Sequence, residues 1–564
     1  MKWIPTTVPD PSDVAELQQV LGVPKTIATL LRQRGIDDFD QAKVFFRPQL
    51  EQLHDPLLMK DMDKAVARIQ EAQAKGESIM VYGDYDVDGT SAVALVTSYF
   101  QHNGQKVHYY IPDRYTEGYG LSSKGISTAH ELGCTLLIVL DCGIKAFTPI
   151  AEANALGIAV IVCDHHLPEA HLPNALAILD PKRKDCDYPY KELCGCGIGL
   201  KLVQALTQAA GQPLEAVLPY LDLAAIAIAA DIVPITGENR VLAAFGLQQV
   251  QQHPRPGIAP FLKKLKGPLK ITDLVFKIAP RINAAGRMHH GKEAVALFLE
   301  TDHQKGQEKG TAIETYNTQR RTVDEQTTKE ALAQLESKGG TAQFSTVVWD
   351  EKWHKGVLGI VASRLIETYY RPTIVLAKNG QHYTGSVRSI RGFDVHEALN
   401  DCASYLSQFG GHKYAAGLTL EASQLDAFKA AFETRVRQEL SPDDLIPFKK
   451  YDTLITLEEL HPKFYRIMEQ MRPFGPQNMR PVFRTNNCRA TANTKAVGAD
   501  NTHLKLEIED ASGGTMPAIA FGWGKQLGAI KKAPSFDVLY TLEENHYQGN
   551  VSLQLQLKDL KINS

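Results

Sequence analysis

The sequence predicts an α/β protein built as two α/β lobes joined by a helical connector, with a C-terminal β-barrel. Three observations carry that prediction. Short apolar runs alternate with helical periodicity over residues 60–235 and again from about 346 to 435, as parallel strands covered by helices do. Between them, residues 240–335 read as mostly helical, with a polar stretch over 308–336 suited to a long exposed connecting helix. Past Met471 the helical period fades, and alternating runs such as Thr502-His503-Leu504-Lys505-Leu506-Glu507-Ile508 and Val551-Ser552-Leu553-Gln554-Leu555-Gln556-Leu557 point to a barrel.

Taken in order, residues 1–50 hold Pro5, Pro9, Pro11, Pro24 and Pro48 and read as a small helical arm. The first α/β domain is expected over 51–235, the helical connector over 236–340 and the second α/β domain over 341–438. Ser441-Pro442-Asp443-Asp444 is a turn-forming linker, and the barrel is expected over 448–564. At 564 residues the chain exceeds one hydrophobic core. No apolar run reaches the roughly 18 residues of a membrane helix, and Met1-Lys2-Trp3-Ile4-Pro5 lacks a secretory core, so a cytoplasmic protein without a membrane partner is expected. Eight cysteines without a Cys-x-x-Cys pair read as reduced structural thiols. The net charge of −3 gives no global polyanion signature, so any such site must be local.

The strands of the first lobe end on acid. Ile79-Met80-Val81-Tyr82-Gly83 runs into Asp84, Asp86 and Asp88, Leu136-Leu137-Ile138-Val139-Leu140 into Asp141, and Ala159-Val160-Ile161-Val162-Cys163 into Asp164-His165-His166. In parallel sheets the ligand site lies outside the carboxyl ends of the strands. That much like charge requires a neutralising cation. An EF-hand would need Glu at its twelfth position, where this chain has Leu95, and a dinucleotide site would need a Gly-rich loop in place of the aspartates. Carboxylate mixed with imidazole suits Mn²⁺ or Mg²⁺, and two ions about 4 Å apart would serve hydrolysis of a phosphate ester or anhydride.

The Asp-x-Asp-x-Asp-Gly run paired with Asp164-His165-His166 resembles the DHH phosphoesterase superfamily. More narrowly, Pro280-Arg281-Ile282-Asn283-Ala284-Ala285-Gly286-Arg287-Met288, the stretch beginning Trp353-His354-Lys355-Gly356, Gly385-Ser386-Val387-Arg388-Ser389, Phe409-Gly410-Gly411-His412 and Phe474-Gly475-Pro476 resemble the RecJ family of single-strand-specific exonucleases. The resemblance implies lobes of the DHH and DHHA1 type and an OB-fold barrel. It implies one ion held by Asp88, Asp141, His165 and Asp231, and a second held by Asp84, Asp86 and a bridging Asp141. Asp164 and His166 would orient ligands or contact the scissile phosphate. Smaller superfamily members carry a histidine where this chain has Tyr82, so Asp84 would have to compensate.

Basic residues dominate from 263 to 292, and Arg281 and Arg287 are expected on a tight loop whose small residues admit a phosphate. Arg114, just after an expected strand at 107–111, lies on the metal edge, where Tyr115 and Tyr119 could stack on bases. Ser386, Arg388, Ser389, Gly410, Gly411 and His412 would capture a 5′ phosphate by likeness to the family. Lys413-Tyr414 and His289-His290 depart from its pattern. The resulting expectation is a 5′→3′ exonuclease of single-stranded DNA releasing 5′ mononucleotides, monomeric, with a single-strand-binding protein and a helicase as partners in recombination and repair. The rivals are a small-substrate phosphodiesterase or pyrophosphatase, favoured if a dinucleotide outcompetes a long strand, and a non-catalytic strand-binding scaffold.

Overall fold

The computed structural model describes residues 1–337 and 343–563. The expected boundary at 340/341 lies outside the described residues.

In the first lobe five strands run parallel, in the spatial order Val107–Tyr110, Ser78–Gly83, Cys134–Leu140, Ala159–Cys163, Ala177–Leu179. Past their first one or two residues the middle strands are buried, 79–83 and 136–140 without a break, which explains the apolar composition of those runs. Strand order reverses between Ser78–Gly83 and Cys134–Leu140, so the crevice at their carboxyl ends opens between the Asp84–Asp88 turn and Asp141. Behind the sheet, the helices Val87–His102, Gly195–Ala209 and Leu221–Asp231 are buried on nearly every face.

The helical connector divides in two. Helices from Gly237–Gln252 to Lys292–Phe298 complete the first lobe's core, through Leu242, Ile282, Val295 and Phe298. The His303–Ser337 helix bridges the two cores: Ile313 sits in the first, while Ala331 and Leu335 pack with Val348, Val361 and Val375 of the second lobe. Its 35 residues span about 50 Å. The Arg281–Arg287 segment, expected as a loop, lies in the Ala279–Met288 helix. A Cβ on Gly286 would stand 2.7 Å from the Tyr85 carbonyl, so the small residues serve close helix packing there.

The second lobe is a five-stranded mixed sheet, Gln408–His412, Ala415–Glu421, His382–Arg388, Thr373–Asn379, Thr346–Asp350, with only the last pair parallel. The C-terminal unit is a seven-stranded sheet that curls until Phe483–Ala490 also pairs with His503–Glu509. Alternation decides its inside: Leu504, Leu506 and Ile508 are buried while Lys505 and Glu509 face solvent. The first 50 residues are helical as expected over Pro11–Leu21, Lys25–Arg32 and Phe39–Phe46, yet they do not stand apart. Leu17, Ile27, Leu30 and Leu31 share one core with Phe464, Phe483 and Tyr540, and Lys2–Pro5 pairs in parallel with Phe448–Tyr451. All eight cysteines are free and buried. Among the described residues no helix is long and apolar enough to cross a membrane.

Candidate metal centre and interlobe cleft

The sheet edge gathers the acidic residues as strand termini and helix starts. Asp86 caps the Val87–His102 helix by accepting the Gly89 N–H at 3.1 Å. Asp88, in the first turn of that helix, accepts the Gly195 and Cys196 N–H groups at 2.6 and 2.8 Å, so it sits on the N-terminus of a second helix. Asp141 has a left-handed backbone, φ 59°. A Cβ on Gly195 would lie 2.5 Å from its Cβ, which is why glycine occupies that helix start. His165 Nε2 stands 3.2 Å from Asp141 Oδ1, 3.8 Å from Asp231 Oδ2 and 3.9 Å from Asp88 Oδ2. Asp88, His165 and Asp231 offer ligand atoms within 4.8 Å of one another, and so do Asp141, His165 and His166.

The electrostatics fit a cation. Burial, then its neighbour His166, push His165 down to about 3, so the imidazole is neutral beside three carboxylates. Burial, then Asp86, raise Asp88 to about 6. Burial and the neighbouring aspartates push Asp141, Asp84 and Asp231 upward as well. Asp84 keeps a buried Oδ1 without a protein partner. A neutral imidazole among carboxylates that repel one another is a donor set for a hard divalent ion.

Asp164 and His166 behave differently. Against the cost of burial, the His166 hydrogen bond and charge hold Asp164 at about 2, and Asp164 in turn raises His166. Asp164 Oδ1 lies 2.7 Å from His166 Nδ1, and Oδ2 accepts the Ile144 N–H at 2.9 Å. Tyr119 joins this pair, its hydroxyl 3.2 Å from His166 Nε2 and donating to the Asp141 carbonyl at 3.1 Å. Tyr82, by contrast, is turned away: its hydroxyl donates to the Gly120 carbonyl and its ring stacks on Tyr110.

Across the cleft, His412 stacks on His166, with ring centroids 6.1 Å apart. Arg287 donates to the Gly356 carbonyl at 2.9 Å, and Tyr115 donates to the Arg287 carbonyl. Burial, then Arg114, Arg388 and Arg320, push Arg287 down to about 10, the mark of guanidinium groups drawn together. Arg114 lies 4.1 Å over the Tyr85 ring with its Nε buried and unpartnered. Arg388 donates to Ser386 Oγ at 2.9 Å. Two expected residues stand outside this cluster. Arg281 pairs with Glu314 of the long helix, and Ser389 donates to the Phe393 carbonyl within its own turn. Gly410 and Gly411 lie in the edge hairpin, opposite Gly417 and Ala416. Of the two departures, His289 stacks on Tyr316 and His290 Nδ1 accepts the Lys292 N–H, while Tyr414 is exposed.

Sequence reasoning missed Asp180 and Lys182. Leu176-Ala177-Ile178-Leu179-Asp180 carries the signature of the other strands, an apolar run ending on acid, but the strand itself is only three residues long.

This geometry defines a class: a parallel α/β lobe with a carboxylate–imidazole centre, facing an arginine-bearing second lobe. The comparisons agree. The DHH family N-terminal domain matches residues 78–228, the DHHA1 domain 339–438 and the RecJ OB domain 451–559. The single-stranded-DNA-specific exonuclease RecJ of Bacillus subtilis (strain 168) is 34% identical over 98% of this chain and 70% of its own length. That of Escherichia coli (strain K12) is 31% identical over 89% of this chain and 90% of its own. The crystal structure of RecJ from Thermus thermophilus in complex with Mn²⁺ superposes with a TM-score of 0.86 at 28% identity, covering all of this chain and 80% of that one. The chain belongs to the RecJ family.

Proposed function

We propose that this chain is a divalent-cation-dependent exonuclease that degrades single-stranded DNA from its 5′ end, releases 5′ mononucleotides and serves recombination and repair. The observation that carries the reading is the His165 imidazole, neutral and within 3.9 Å of carboxylate oxygens from Asp88, Asp141 and Asp231. In this reading those four residues hold one Mn²⁺ or Mg²⁺, and Asp84, Asp86 and Asp141 hold the second. When bound, such ions lower the pKa of water and stabilise charge on the phosphoryl oxygens. The chain's own residues supply position. Asp164 fixes His166 toward the cleft, where it faces His412 and the strand. Arg114, Arg287 and Arg388 with Ser386 receive the terminal phosphate, because clustered guanidinium groups favour a dianion over a diester. Gly410 and Gly411 line the same lobe, and Arg281 serves the path rather than the end. The barrel extends the single-strand path. The reading also includes a monomer working in the cytoplasm, with a single-strand-binding protein and a helicase as partners.

The test is hydrolysis of 5′- and 3′-labelled single strands with Mn²⁺ and with chelator, against a duplex and a dinucleotide. Mononucleotide release from the 5′ label of the long strand, stopped by chelator, is expected. Preference for the dinucleotide, or release from the 3′ label first, would reject the reading.

A further inference from the structure

Asp180 closes the Ala177–Leu179 strand on the same edge as the metal-site carboxylates and is fully buried. One oxygen accepts the Lys182 backbone N–H at 2.7 Å, while Oδ2 has no partner. The following turn is pinned on both sides. Pro181 is buried, and Arg183 donates to the Ile178 carbonyl and Asp61, each at 2.6 Å, and to Asp185 at 2.8 and 2.9 Å. Lys182 is therefore presented half-buried from a fixed turn, and among the described residues its ammonium has no hydrogen-bond or ion-pair partner.

Sheet register places it. Cys163 pairs with Leu179 and the Asp164 N–H donates to the Leu179 carbonyl at 3.0 Å, so Asp180 leaves the sheet beside Asp164, and the turn that follows carries Lys182 along the edge where His165 and His166 sit. His166 in turn stacks on His412 of the second lobe, so that edge faces the cleft. A half-buried ammonium without a protein partner there is available to an anion that arrives. Lysine, a mobile point charge, suits a phosphodiester, whereas the forked guanidinium of Arg388 across the cleft suits the terminal dianion.

We propose that Lys182 is a substrate-contacting residue, its ammonium pairing with a backbone phosphodiester beside the metal centre. The proposal rests on the exonuclease reading. It is tested by kcat/KM on a 5′-phosphorylated single strand between about 50 and about 200 mM salt. Lys182→Gln is expected to lower kcat/KM about tenfold and to make its log–log salt dependence shallower by about 0.7, the loss of one phosphate contact on a single strand. Lys182→Arg is expected to keep the wild-type slope. Melting temperatures confirm folding, and Lys182→Thr replaces the glutamine variant if that one melts early. An unchanged slope in the charge-removing variant, with or without a fall in turnover, overturns the contact while leaving the exonuclease reading intact. Absence of hydrolysis by the wild-type protein overturns both.

Discussion

Replacing Gly195 by alanine tests how tightly the metal centre is built. The new methyl carbon would sit 2.5 Å from Asp141 Cβ, 2.7 Å from its Cα and 2.7 Å from Oδ1, against roughly 3.5 Å for a relaxed contact. Neither partner can yield freely. Asp141 occupies the left-handed region and its N–H donates to the Cys163 carbonyl at 2.9 Å, while the Gly195 N–H is committed to Asp88 at 2.6 Å. Relief therefore requires the helix start to retreat by about 1 Å, pulling Asp88 away from His165 and Asp141. Overpacking of this kind costs about 1–3 kcal/mol, and a displacement of about 1 Å at reacting groups costs about a hundredfold in rate. The expected result is a folded protein melting a few degrees lower, with Mn²⁺-dependent turnover on single-stranded DNA down about two orders of magnitude. Wild-type turnover with a wild-type melt would refute the claim that Gly195 sets the separation of Asp88 and Asp141.

Cation removal should become more damaging as pH rises. Asp88 is raised to about 6 in the fold from an ordinary 3.8, so the metal-free fold takes up a proton there and loses about 3 kcal/mol as pH climbs through that window. The difference in melting temperature between Mn²⁺ and chelator should widen from pH 4 to pH 7, and a difference independent of pH would contradict the assignment. Arg388→Ala should reduce discrimination between 5′-phosphate and 5′-hydroxyl strands about tenfold in competition assays, the worth of one charge-assisted contact. Glu238→Ala should cost about 3–5 kcal/mol in denaturant melts, because it strands the fully buried Lys201 ammonium, 3.0 Å from Glu238 Oε1.

Much of the centre could be read before any fold was known. Asp84, Asp86, Asp88, Asp141, Asp164, His165 and His166 announce themselves because a buried parallel strand is a short apolar run, and its carboxyl end is where polarity returns. Asp231 is legible only through resemblance to a family: it ends a helix, Leu221–Asp231, in which 223–230 are apolar on every side and carry no sign of facing a site. The fifth strand escaped because three residues are too few to show a period.

By itself the sequence determined the two α/β lobes, the bridging helix, the barrel and the acids at the strand ends, since local polarity patterns encode them. Only the tertiary structure decided what meets across distance: the Arg281–Arg287 segment as a packed helix, the first 50 residues sharing the barrel's core, and His412 laid against His166. The physical reason is that contacts between segments far apart in the chain depend on how whole elements pack, and no local pattern records which distant surface a side chain will meet.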